Sequence, residues 1–84
     1  MNRYDLKAAL ERERIRPYLY SIVGLTAPPK EQQYVLEEEQ GKWLVYYFER
    51  GERDQLRVFE SEDEACRYLL DRIVTMPWSH LRIE

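Results

Sequence analysis

The side chains able to do chemistry are few in this sequence, and most are poorly spaced for it. The chain holds one histidine, His80, and one cysteine, Cys66. A structural zinc site takes four nitrogen or sulfur ligands, and a nucleophilic triad needs a base beside its nucleophile. Two such residues supply neither, so no metal ligand and no catalytic nucleophile is assigned. Cys66 falls on an apolar stripe with Ala65, Leu69, Leu70 and Ile73 and reads as a small buried hydrophobe. Glu62, Asp63 and Glu64 around it would raise its thiol pKa. Carboxylates are plentiful, and the runs Glu37-Glu38-Glu39 and Glu62-Asp63-Glu64 hold the paired acids that general acid and base catalysis uses. Such catalysis wants one carboxyl in an apolar cleft, whereas these runs fall at a hairpin turn and a helix cap, where a solvated face is the ordinary reading. Three scattered glycines form no phosphate-cradling loop. The chain is therefore read as a non-enzyme without a cofactor.

Charge is more informative than chemistry. The formal net charge of −3 conceals an uneven distribution. Residues 1–16 carry five basic and three acidic groups, a net of +2, whereas residues 31–64 carry four basic against eleven acidic groups, a net of −7. A field of that sign repels phosphate backbones and attracts cationic surfaces. Tyr46 and Phe48 on one strand face resemble the stacking aromatics of single-strand RNA binders, but the acidic hairpins beside them would repel the strand to be held. Nucleic acid is thus disfavoured as a partner and a basic protein favoured.

Eighty-four residues make one domain. At 44% hydrophobic and 35% charged residues the chain lies within the globular range. The longest apolar run, Trp43 to Phe48, is six residues, far short of the ~20 that span a bilayer, so no membrane association is expected. One unpaired cysteine and an N-terminus without an apolar stretch point to a cytoplasmic protein.

The elements that must position these residues follow from periodicity. Tyr4 to Arg16 reads as an amphipathic helix carrying Leu6, Ala9, Leu10 and Ile15, with Asp5 at its start, arginines at its end and Pro17 as its stop. Tyr18 to Val23 is a short strand, and Gly24 to Gln33 a loop. Tyr34 to Glu38 and Trp43 to Phe48 are strands joined by a Gln40-Gly41 turn. Counting outward from that turn sets Glu39 opposite Lys42, Glu38 opposite Trp43, Leu36 opposite Val45 and Tyr34 opposite Tyr47. One face then gathers Tyr34, Leu36, Trp43, Val45 and Tyr47; the other gathers Val35, Glu37, Leu44, Tyr46 and Phe48. Both faces are apolar, and two helices cover only one of them well. Glu49 to Gln55 is a charged loop around Gly51, with Glu49 and Arg50 a solvated or cross-strand pair. Leu56, Val58 and Phe59 make a further strand. Ser61-Glu62-Asp63-Glu64 is a capping box, the Ser61 hydroxyl accepting from the Glu64 amide and the Glu64 side chain reaching back. The helix it opens runs to Met76-Pro77, and the tail Trp78 to Glu84 either adds an edge strand through Leu81 and Ile83 or stays disordered.

The stretch Trp43-Leu44-Val45-Tyr46-Tyr47-Phe48-Glu49-Arg50-Gly51, with Phe59, Glu62-Asp63-Glu64-Ala65-Cys66 and Leu69-Leu70 after it, resembles a pattern W-x-V-Y-Y-x-E-R-G followed by E-x-E-A-C. That pattern is similar to one in small immunity proteins of bacterial polymorphic toxin systems, closely over residues 43–70 and loosely over 18–74. The resemblance implies a protein that binds and inhibits a toxin encoded beside it. Leu44 and Phe48 stand where that pattern leads one to expect polar residues, which marks Leu44, Tyr46 and Phe48 as the unusual face.

The expectation is an α+β domain over residues 1–84: N-terminal helix, short strand, three-stranded antiparallel meander, and a C-terminal helix packed on one sheet face. Its expected core is Leu6, Leu10, Leu36, Trp43, Val45, Tyr47, Leu56, Val58, Ala65, Leu69 and Ile73. The expected function is occlusion of a basic toxin's active site, with Glu37, Glu38, Glu39, Leu44, Tyr46, Phe48, Glu49, Arg50, Glu52 and Asp54 as the partner-binding residues. The alternatives are a weak homodimer, a regulatory or structural module pairing through an exposed Leu44, Tyr46 and Phe48 patch, and a single-strand RNA binder using Tyr46 and Phe48.

Overall fold

The computed structural model describes residues 1–75. The expected helix end at Met76-Pro77, His80, and the tail with Leu81 and Ile83 lie outside the described residues. The first helix, α1 (Arg3–Arg12), opens on a reciprocal capping box. The Asn2 side-chain oxygen accepts from the Asp5 N–H at 2.8 Å and the Asp5 carboxylate accepts from the Asn2 N–H at 3.0 Å, which satisfies donors that the first turn leaves unpaired.

The expected end of this helix at Arg16 is corrected to Arg12. Arg14 adopts φ +61°, its N–H donates to the Glu11 carbonyl, and the Ile15 N–H donates to the Leu10 carbonyl, both at 3.0 Å. These two bonds form a Schellman closure without glycine, and its usual apolar contact is supplied by Ile15, which is buried in the same cluster as Leu10. Pro17 starts a 3-10 turn, Pro17–Leu19, so the expected strand Tyr18 to Val23 shrinks to β1 (Tyr20–Ile22).

The remaining strands are β2 (Gln33–Glu39), β3 (Lys42–Glu49) and β4 (Glu52–Phe59), in a four-stranded sheet of order β1-β2-β3-β4. β2 and β3 pair antiparallel in the expected register, with Leu36 opposite Val45, Tyr34 opposite Tyr47 and Glu38 opposite Trp43. Two-residue turns join the meander: Gln40 and Gly41 sit at φ +52° and +80°, Arg50 and Gly51 at +56° and +73°. Positive φ at both central residues is the hairpin geometry that matches strand twist. The charged loop expected over Glu49 to Gln55 is thus a tight turn, and β4 begins at Glu52. β1 runs parallel to β2, with the chain crossing between them through residues 23–32.

The second helix, α2 (Glu62–Val74), starts at Ser61, whose hydroxyl oxygen accepts from the Glu64 N–H at 3.1 Å. The expected reciprocal arm differs: the Glu64 carboxylate takes the Ser61 hydroxyl proton rather than the Ser61 amide. α2 lies against β2, β3 and β4 and also touches α1. Between helices and sheet, Leu6, Leu10, Ile15, Tyr20, Ile22, Tyr34, Leu36, Val45, Ala65, Cys66, Leu69 and Ile73 form the main core, with Trp43, Tyr47 and Phe59 at its margin. Two expected core members are corrected: Leu56 and Val58 are 44% and 57% exposed. They lie on the outermost strand, beyond a bulge where Gln55 takes φ +56° and the pairing shifts between Val45 and Tyr47.

Candidate protein-interaction surface

Of the expected exposed patch, Leu44 and Tyr46 are covered and Phe48 is half-buried. Leu44 and Tyr46 are 6% and 4% exposed, and with Val35 they form a second, smaller core against which Val23 and Phe48 pack. Neither helix contributes to it. At one side the crossover lies across this face: the Ser21 hydroxyl, on the Val35 side by register, donates to the Ala27 carbonyl at 2.8 Å. At the other side Arg53 reaches over from β4. Its guanidinium carbon is 5.1 Å from the Tyr46 ring centroid, and its nitrogens pair with Glu37 at 3.4 Å and Glu39 at 3.1 Å. The Tyr46 hydroxyl donates to Glu37 at 2.7 Å. Burial foremost, then this bond to a carboxylate, pushes the Tyr46 pKa up to about 12. A ring so covered offers no platform for a nucleobase, whereas Val58, which pairs with Leu44 on the same face, stays exposed.

The acidic residues gather at two turns that Arg53 links, since it stands next to Glu52 and pairs with Glu37 and Glu39. Glu37, Glu38 and Glu39 stand at the β2–β3 end of the sheet, and Glu49, Arg50 and Glu52 at the opposite end. At the second end Glu31, which sequence reading passed over, organises the turn: its carboxylate accepts from the Arg50 N–H at 2.5 Å and the Gly51 N–H at 3.0 Å. Arg50 itself lies 3.9 Å from Glu49. The sequence signal for Glu31 was only an acid placed before a strand whose partner ends in a glycine turn.

The basic groups of the acidic segment are all engaged within the chain. Lys42 pairs with Glu60 at 2.6 Å, Arg50 with Glu49, and Arg53 with Glu37 and Glu39, while Arg57 lies 5.9 Å from the centroid of the Tyr68 ring. The carboxylates of Glu38, Glu52 and Asp54 carry no such bond among the described residues. What remains presented is an outer strand, β4, exposed at every residue except the half-buried Phe59, with Glu52 and Asp54 on one half and Leu56 and Val58 on the other.

The remaining chemistry-bearing residues are occupied by packing. Cys66 is buried, and that burial, with Glu62 and Asp63 adding to it, pushes its thiol to about 11. Arg3 spans three elements: its guanidinium carbon lies 5.5 Å from the Trp43 ring centroid, its Nε is 3.5 Å from Glu62, and its backbone N–H donates to the same carboxylate at 2.8 Å. A groove of about 390 Å³ opens beside β1, lined by Lys7, Glu11, Tyr18, Tyr20 and Lys30 among others. Its wall is already taken up by the Lys7–Glu11 pair at 2.9 Å. Among the described residues no group of three or more His, Cys, Asp or Glu could hold a metal ion, and no helix is long and apolar enough to cross a membrane. No protein-family model matches the chain, and no curated protein or solved structure matches it significantly.

Proposed function

We propose that this chain is a non-enzymatic protein-binding module of the bacterial cytoplasm, an immunity protein that binds a basic toxin domain and occludes its active site. The observation that carries the reading is the balance of charge on the sheet. Of the four bases of residues 31–64, Lys42 and Arg53 pair closely with carboxylates, Arg50 lies 3.9 Å from Glu49 and Arg57 lies against the Tyr68 ring, while Glu38, Glu52 and Asp54 face solvent without a partner among the described residues. Folding uses the cations and leaves anions over, so the surface is complementary to a cationic protein. The pattern from Trp43 to Cys66 supports the same reading through its similarity to immunity proteins.

The test is the association rate with the protein encoded by the neighbouring reading frame. Replacing Glu38 and Glu52 with Gln and Asp54 with Asn should slow association and flatten its salt dependence, because exposed charges act mainly on encounter and are screened beyond about 8–10 Å at physiological salt. Melting temperature should hardly change. Binding indifferent to both salt and these substitutions would remove the acidic surface from recognition, and no binding at all would remove the inhibitor reading.

A further inference from the structure

We infer that the outer edge of β4 docks an extended basic segment of the partner protein, which adds a fifth strand to the sheet. This rests on the protein-binding reading above and specifies how the binding is made. A sheet edge presents alternate unpaired N–H and C=O groups that a partner strand can take up. The two edges of this sheet differ. β1 is three residues long, and its last residue is already served by the chain: the Ile22 N–H donates to the Thr26 hydroxyl, and the Ile22 carbonyl accepts from Leu25 and Thr26, all at 2.9 Å. β4 is eight residues long and has no strand beyond it among the described residues.

Its side chains suit a cationic strand. Arg53 and Arg57, which would repel one, are drawn back over Tyr46 and Tyr68. Glu52 and Asp54 have no partner among the described residues, and Leu56 and Val58 stay exposed, where an edge strand meant only for solvent would carry charge. The bulge at Gln55, whose Oε1 accepts from Arg72 at 3.1 Å, divides the edge into an acidic half and an apolar half. A second copy is a poor occupant for this edge. Antiparallel pairing of two β4 strands about the bulge would set each copy's Glu52 and Asp54 against the other's apolar pair. A segment alternating Lys or Arg with Val or Ile meets both halves.

Amide hydrogen exchange on the full chain tests this, with the peptide Lys-Val-Arg-Val-Lys-Ile, its counterpart bearing Glu at the charged positions, and the neighbouring gene product as probes. In the free monomer the outward amides of residues 52–59 should exchange fast. The basic peptide and the neighbouring protein should each protect them by about tenfold or more, equivalent to about 1.4 kcal/mol, and the acidic peptide should not. Val58→Lys, at an exposed position, should abolish the protection with the fold intact, whereas Tyr18→Ser, far from β4, should leave it unchanged. Outward amides already protected in the free monomer would mean that the chain covers its own edge and would overturn the inference, as would protection that appears only with self-association. If the neighbouring protein binds with the expected salt dependence but β4 stays unprotected and Val58→Lys binds normally, the edge inference falls and the inhibitor reading stands. If the peptide protects β4 but the neighbouring protein does not bind, the reverse holds.

Discussion

Arg53 and Tyr46 address the same oxygen. The Tyr46 hydroxyl donates to Glu37 Oε1 at 2.7 Å, the Arg53 guanidinium lies 3.4 Å from that atom, and its carbon is 5.1 Å from the Tyr46 ring centroid. A cation on an outer strand thereby covers part of an apolar face that no helix reaches. Arg53→Ala should lower stability by about 1–2 kcal/mol, the combined scale of a partly desolvated cation–π contact and the uncovering of an aromatic ring. Arg53→Lys should recover only part of this, because an ammonium cannot lie flat on the ring while bridging two carboxylates. Urea denaturation of the two variants measures both. Equal stability of all three proteins would show that Tyr46 is held by strand packing alone.

Helix capping is expected to contribute at both helix starts. Ser61→Ala and Asn2→Ala should each cost about 0.5–2 kcal/mol, the usual loss when an N-cap side chain is removed. Chemical denaturation gives the values, and additivity of the double variant would show that the two caps act independently.

The two meander turns ask for residues that tolerate positive φ, and Gln40 and Arg50 are second-best at their positions. Gln40→Asn and Arg50→Asn should each stabilise by a few tenths of a kcal/mol, giving the Asn-Gly pair that such turns prefer. Gly41→Ala and Gly51→Ala should each cost about 1–2 kcal/mol. An added Cβ meets nothing within 4 Å at either site, so the whole effect would be left-handed backbone strain. Melting temperatures across the four variants separate these outcomes.

Alkaline stability should fall early. Burial raises the pKa of Tyr20, Tyr34, Tyr46 and Tyr47 above the ordinary 10.0, Tyr46 to about 12, and that of Cys66 from 9.0 to about 11. The unfolded chain then releases these protons at lower pH than the folded one. Their stabilisation is complete below pH 9 and is lost as pH rises through the folded values near 11 and 12. Chemical denaturation as a function of pH should show a decline starting near pH 9, and absorbance at the tyrosinate wavelength should show the tyrosines ionising together with unfolding.

Cys66 should react with a thiol reagent only as fast as the protein opens, because its sulfur is buried and its proton tightly held. Native-state labelling should therefore accelerate in urea in step with unfolding. Rapid labelling under native conditions would place the thiol at the surface instead.

What the sequence determined by itself was local. A two-residue turn at Gln40-Gly41 together with period-two alternation sets the pairing of β2 with β3 residue by residue, because a slip by one would turn every apolar side chain to the other face. Ser61 three residues before Glu64 marks the start of α2 for an equally local reason. The Schellman closure at Arg14 was not legible, since it carries no glycine and depends on Ile15 finding a buried place next to Leu10. The fate of the second sheet face was not legible either. Leu44, Tyr46 and Phe48 read as a surface for a partner because no helix was left to cover them, yet a crossover held by Ser21 and a side chain from β4 cover part of that face. Leu56 and Val58, placed in the core by their alternation, lie instead on an edge. Period two says that a residue faces one side of a strand, whereas strand order and the bulge at Gln55 decide whether anything is packed there. Those are relations between elements distant in the chain, and only the assembled sheet contains them.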